Sequence, residues 1–73
     1  MKFKELHVLL MSRGYYIIRE SKHHIYSNGH NTIAVPHAKD IAIGTLRDIF
    51  KIMYPNSFDT ANKQMREALG KVA

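Results

Sequence analysis

The sequence predicts a small α+β domain in which three short strands form an antiparallel sheet and helices cover one of its faces. Apolar residues recur at helical spacing near the N-terminus and again after residue 45, and β-branched and aromatic residues cluster between these segments. An Asn-Gly pair, the strongest short hairpin signal, separates two of the clusters. The predicted order is α-β-β-β-α, followed by an extra C-terminal helix.

The first helix is predicted over residues 3–11, and Gly14 follows where a glycine commonly ends a helix. Its apolar face comprises Phe3, Leu6, Leu9 and Leu10. The first strand is predicted over residues 15–18, which are aromatic and β-branched. Because side chains alternate on a strand, we expect one of Tyr15 and Tyr16 to enter the core and the other to stay exposed.

The second and third strands are predicted from two short apolar runs. A polar turn over residues 20–22 leads into the second strand at residues 24–26. The turn at Asn28-Gly29 connects it to the third strand, residues 32–35, which Pro36 ends. The three strands are therefore expected to form an antiparallel meander.

Two helices are predicted after the sheet. Thr45 is a candidate N-cap, with Asp48 in a capping-box position, and Pro55 breaks this helix near Tyr54. The apolar face of this helix comprises Leu46, Ile49, Phe50 and Met53. Ser57 or Asp59 is expected to cap the last helix. The apolar stripe of that helix comprises Phe58, Ala61, Met65, Ala68 and Leu69. We expect residues 1–73 to form one domain, with a core over 3–53 and a helical extension over 56–70.

Composition narrows the function classes. The chain has no cysteine, which excludes disulfides, thiolate metal sites and a cysteine nucleophile and favours a reducing cytoplasm. No apolar run is long enough to cross a membrane, and no signal-peptide pattern is visible. Eleven Lys and Arg face six Asp and Glu, a net charge of +5 that favours an acidic partner, either nucleic acid or an acidic protein.

The chain has five histidines, which are candidates for metal binding or for catalysis. His23 and His24 are adjacent on a strand and point to opposite faces, which disfavours a shared metal ion, and no cofactor is expected. The chain lacks a Gly-x-Ser-x-Gly elbow for serine hydrolysis. RNA cleavage needs less, because the ribose 2′-OH is the nucleophile, histidine can transfer a proton near neutral pH, and Lys or Arg can stabilise the phosphate. The alternative is that one histidine packs against the helices and the other is merely exposed.

Four segments resemble the HicA (YcfA-like) toxins of bacterial toxin–antitoxin pairs. Residues 13–15, Arg-Gly-Tyr, match the glycine and aromatic residue that follow the family's first helix. Residues 21–26, Ser-Lys-His-His-Ile-Tyr, match its Gly-Ser-His-x-x-aromatic segment. Residues 35–37 match its Val-Pro-His, and residues 44–49 match its Gly-Thr-Leu-x-x-Ile. The resemblance covers roughly residues 3–53.

The resemblance implies a fold like the double-stranded-RNA-binding domain and a metal-independent mRNA endoribonuclease (mRNA interferase). It places the catalytic histidine at His23, with His24 as second choice, and the motif's aromatic residue, expected to contact RNA, at Tyr26. Lys22 is a candidate phosphate contact, and Arg47 and Lys51 are candidates because the start of the second main helix meets phosphates in that fold. These two residues also lie four apart on one helix face, for which a plain solvated surface is the alternative. The implied partners are mRNA and a HicB-like antitoxin.

The sequence departs from the family in two places. Ser21-Lys22 stands where the family has Gly-Ser, so a backbone conformation that needs glycine could be lost and the activity with it. The chain also continues after Pro55, either as a helix packed on the domain edge or as a dimer or antitoxin interface. The alternative function is therefore a catalytically inactive RNA-binding or antitoxin-binding module of the same fold.

Overall fold

A computed structural model describes residues 1–72. It contains three helices and three strands in the order α-β-β-β-α-α, which confirms the predicted fold class. Their bounds are α1 Phe3–Ser12, β1 Tyr16–Glu20, β2 His23–Ser27, β3 Thr32–Pro36, α2 Ile43–Met53 and α3 Phe58–Val72.

The strands form one antiparallel sheet in the order β1-β2-β3. The predicted hairpin between β2 and β3 is present: Gly29 has a φ of 92°, and the Asn28 side-chain oxygen accepts hydrogen bonds from the backbone N–H groups of His30 and Asn31. A bulge near Ile18 interrupts the register between β1 and β2. The sheet is therefore the predicted meander, with strands one or two residues longer than the apolar runs that predicted them.

The helices cover one face of this sheet and share a single core with it. α1 contributes Leu6 and Leu10, the strands contribute Tyr26, Ile33 and Val35, and α2 contributes Leu46, Ile49 and Phe50. Just before β1, Tyr15 is buried while Tyr16 is half exposed, as the alternation predicted. The opposite face of the sheet carries no helix among the described residues.

The start of α2 differs from the prediction. The helix begins at Ile43 with Ala42 as its N-cap, so Thr45 lies inside the first turn, and its assignment as N-cap was wrong. The reason is tertiary: Ile41 is buried and its backbone N–H donates to the Met1 carbonyl, and this contact fixes the chain just before the helix. The predicted end near Tyr54 is confirmed, because α2 ends at Met53 ahead of Pro55.

α3 packs against α2. Ser57 caps it, since the Ser57 hydroxyl accepts a hydrogen bond from the Thr60 backbone N–H at 3.1 Å. Of the predicted stripe, Ala61, Met65 and Ala68 are buried in the core and Leu69 is half buried. Phe58 is an exception, because its side chain, at the first position of the helix, is 57% exposed.

Substitutions at Gly14 and Gly70 test whether the turn after α1 needs the left-handed backbone conformation of Gly14. Gly14 has a φ of 86°, and a left-handed conformation costs an ordinary residue roughly 1–2 kcal/mol. Gly14→Ala is therefore expected to lower the free energy of unfolding by about 1 kcal/mol. Gly70→Ala, in α3, is expected to raise it by about 0.5–1 kcal/mol, because alanine loses less backbone entropy in a helix.

A Cβ atom at either glycine would meet no atom within 4 Å apart from those of the adjacent backbone, so backbone conformation alone separates the two variants. Denaturant unfolding of both proteins measures the difference. Equal changes in the same direction would contradict this account of Gly14.

Candidate functional site

The two adjacent histidines of β2 lie on opposite faces of the sheet. Tyr26 faces the core, so His24, two residues earlier, shares that inner face, and His23 points to the outer face. His23 is exposed and pairs across the ladder with Pro36. His24 is half buried and pairs with Val35. The prediction that the two imidazoles point to opposite faces of the sheet is confirmed.

His24 is held by a carboxylate and two aromatic rings. Its Nδ1 lies 2.6 Å from Glu20 Oε1. A carboxylate can only accept, so Nδ1 carries a proton, and in the neutral ring Nε2 is left as the basic nitrogen. The His24 ring centroid lies 4.5 Å from that of Phe3 and 4.0 Å from that of His37. This half-buried imidazole is therefore oriented as a proton acceptor through Nε2.

His37 ties the end of β3 to the turn between β1 and β2. Its Nε2 lies 2.9 Å from the Ser21 carbonyl oxygen, which can only accept a hydrogen bond. Nε2 is therefore protonated, and the neutral ring has its lone pair on Nδ1. The sequence shows no local signal for this role of His37, because its contact with Ser21 spans 16 positions of the chain.

The turn at Ser21-Lys22 forms without a glycine. The Ser21 backbone N–H donates to the His23 carbonyl at 3.1 Å, and no non-glycine residue among 1–72 has a positive φ. Serine and lysine therefore adopt this turn without backbone strain. Lys22 is exposed at its tip, next to His23.

Tyr26 is not available to RNA, and the prediction that it contacts RNA was wrong. Its side chain is 0% exposed, and its hydroxyl lies 2.7 Å from His7 Nδ1 on α1. Burial, assisted by the Glu20 carboxylate, raises the pKa of the Tyr26 phenol above its ordinary value, so the phenol stays neutral. The motif's aromatic residue is here a core residue, because it shares the inner face of β2 with His24.

Arg47 and Lys51 lie on α2, on the other side of the sheet from His23. Both are exposed, and the Lys51 ammonium sits 5.1 Å from the centre of the Phe58 ring. Arg47 lines an open groove between α2 and α3, which also exposes Ile43 and Phe58. The structure therefore brings Lys22 together with His23 but places the two α2 cations on a separate surface.

Three residues that sequence reasoning missed complete the histidine end of the sheet. We use the name histidine end for His23, His24 and His37 together with Glu20 and Phe3. Glu20 could have been found from the pattern, because a short turn between antiparallel strands places the residues that flank it opposite one another. Phe3 and His37 reach His24 through tertiary packing, for which the sequence carries no local signal.

Within residues 1–72, no three His, Cys, Asp or Glu side chains are arranged to hold a metal ion. Over the same residues, none of the helices has the length and apolar character that crossing a membrane requires.

Comparison with known proteins identifies the family. The model of the HicA toxin of bacterial toxin–antitoxin systems matches residues 3–53, more than half of the chain. The match begins at the start of α1 and ends with α2, so it contains the histidine end and leaves α3 outside. No curated protein and no solved structure shows a significant match. By its family match and its α-β-β-β-α core, this chain belongs to the HicA toxin family of bacterial toxin–antitoxin systems.

Proposed function

We propose that this protein is an endoribonuclease that cleaves mRNA, with His23 as the group that transfers protons. The observation that carries the proposal is an exposed imidazole on the helix-free face of the sheet, adjacent to the exposed Lys22 and inside the family match. A long, flexible RNA strand can approach this face without entering a deep cleft.

The chemistry requires only proton transfer and charge stabilisation. His23 removes the proton from a ribose 2′-OH, the oxygen attacks the adjacent phosphorus, and the bond to the 5′ oxygen breaks. The protonated His23 then gives its proton to that 5′ oxygen. The Lys22 ammonium stabilises the negative charge on the phosphate during attack. Arg47 and Lys51 contact phosphates of a more distant part of the strand.

The nature of the products tests this function. The purified protein, incubated with labelled RNA in the presence of EDTA, is expected to yield fragments that end in a 2′,3′-cyclic phosphate and begin with a 5′-OH. A matched 2′-O-methyl oligonucleotide, which lacks the nucleophile, is expected to remain intact. Mass spectrometry of the fragments distinguishes the outcomes: 3′-OH and 5′-phosphate ends, or no cleavage at all, would refute the proposed reaction.

A catalytically inactive binding module is the second candidate. The observation that favours it is that the carboxylate partner belongs to His24 and not to His23. Such a module would bind RNA with strong salt dependence and leave it uncut, and the binding would survive loss of His23.

A HicB-type antitoxin is the proposed protein partner. The net charge of +5 suits an antitoxin with an acidic surface, which would associate faster at low salt. Covering His23 would block RNA without any change in the toxin's fold.

A further inference from the structure

A small pocket lies beside the histidine end, and nothing in the family comparison assigns it a role. It is lined by Lys2, Phe3 and Lys4 at the start of α1 and by Ala38 and Lys39 after β3. We call it the lysine pocket. Its volume is about 300 Å³, at the lower end of the range for ligand sites, which suits one small group better than a peptide segment.

Backbone contacts fix the two sides of the lysine pocket relative to each other. The Phe3 backbone N–H donates to the Lys39 carbonyl at 2.9 Å, and the Ile41 N–H donates to the Met1 carbonyl at 2.8 Å. Lys2 and Asp40 also pair as an isolated antiparallel bridge. The lysines on both sides of the pocket are therefore attached to backbone that is already in place before a ligand arrives.

The charge of the lysine pocket favours an anion. Most of the lining surface is apolar, and the charge comes from the three lysines among the five lining residues, none of which is acidic. The nearest acids on the same elements are Glu5 and Asp40. Glu5 accepts a hydrogen bond from the Lys2 backbone N–H at 2.8 Å, which directs its carboxylate to the helix start. A phosphate oxygen has the charge and size to bind several ammonium groups at once.

The position of the lysine pocket beside the imidazoles indicates which kind of anion it binds. The Phe3 ring that lines the pocket packs on His24, His24 packs on His37, and His37 directly precedes Ala38. His23 precedes His24 on β2, so it lies at the same end of the sheet but on the outer face. A strand whose scissile phosphate lies at His23 would therefore carry a neighbouring phosphate around the sheet end toward the pocket.

We propose that the lysine pocket binds a backbone phosphate of the RNA substrate, one that flanks the cleaved position. This inference rests on the proposed function for its substrate class. An acidic protein segment is the less suitable occupant, because protein interfaces bury apolar side chains at their centre. The exposed Ile43 and Phe58 lie on the α2–α3 groove and not at this pocket.

Salt-dependent binding tests the proposal. The probe is a fluorescein-labelled 2′-O-methyl oligoribonucleotide, which binds without being cut, and fluorescence anisotropy gives its Kd at several salt concentrations. Lys39→Gln is expected to weaken binding at low salt and to reduce the slope of log Kd against log salt by about 0.7–0.9, as for one lost phosphate contact. Lys71→Gln, which removes one exposed lysine from the last turn of α3, is the matched control and is expected to leave the slope unchanged.

Each outcome decides the matter. Equal losses in Lys39→Gln and Lys71→Gln would show that RNA binds to a diffuse basic surface and would overturn the pocket proposal. Unchanged RNA binding in Lys39→Gln would do the same, including the case in which that variant weakens antitoxin binding instead. A further outcome is that the wild type fails to cut RNA while Lys39→Gln alone reduces the slope of log Kd against log salt. In that case the catalytic proposal fails, and the proposal that the lysine pocket binds an RNA phosphate stands. If the wild type cuts RNA and Lys39→Gln binds normally, the catalytic proposal stands and the pocket fails.

Discussion

Replacing His23 with alanine is expected to slow RNA cleavage by roughly 100- to 10,000-fold, the range typical of a lost general acid–base group. The side chain is exposed on the helix-free face and belongs to no part of the core, so the variant should fold normally. Single-turnover cleavage of labelled RNA measures the rate, and a thermal unfolding curve verifies the fold.

Two further variants make the His23 result specific. His30→Ala removes another exposed imidazole, in the turn at the opposite end of β2, and is expected to leave the rate within a factor of about two. Glu20→Gln removes the carboxylate from His24 while keeping its shape. If Glu20→Gln slows cleavage as much as His23→Ala does, the proton-transfer group is the oriented His24, and the assignment to His23 is wrong.

Tyr26→Ala is expected to cost about 3–5 kcal/mol of unfolding free energy, as large-to-small changes of buried aromatic residues do. The whole stability of a chain of this size is roughly 4–11 kcal/mol, so this variant should lose a large share of it and unfold at a much lower temperature than the wild type. Tyr26→Phe keeps the ring and loses only the hydroxyl that meets His7, and is expected to cost about 1 kcal/mol. Urea denaturation measures both values.

RNA binding by Tyr26→Phe tests whether the Tyr26 hydroxyl contacts RNA, as the family resemblance had implied. Because the Tyr26 side chain is fully buried, its hydroxyl cannot reach RNA, and the Kd for the 2′-O-methyl oligonucleotide should equal that of the wild type. A folded Tyr26→Phe protein with tenfold weaker binding would show that the tyrosine does meet RNA.

The resemblance predicts the segment that carries the candidate site, and the structure shows which face of the sheet each of its side chains occupies. The motif matches predicted a catalytic histidine in the segment of residues 21–26, and the alternation rule correctly assigned its two imidazoles to opposite faces of the sheet. The same rule places Tyr26 on the face of His24, but the sequence did not say which face the helices cover. That face is decided by where α1 and α2 pack, so Tyr26 could be assigned to the core only from the structure.

By itself, the sequence determined the order of the helices and strands, the meander, the glycine turns and the segment that carries the histidines. These features depend on local periodicity and on backbone preferences within a few residues, which a single chain displays directly. Only the tertiary structure decided that α2 begins at Ile43, that Glu20 holds His24, and that lysines from both ends of residues 2–39 line one pocket. Those contacts depend on how whole helices and loops dock on the sheet, and the docking involves residues far apart in the chain.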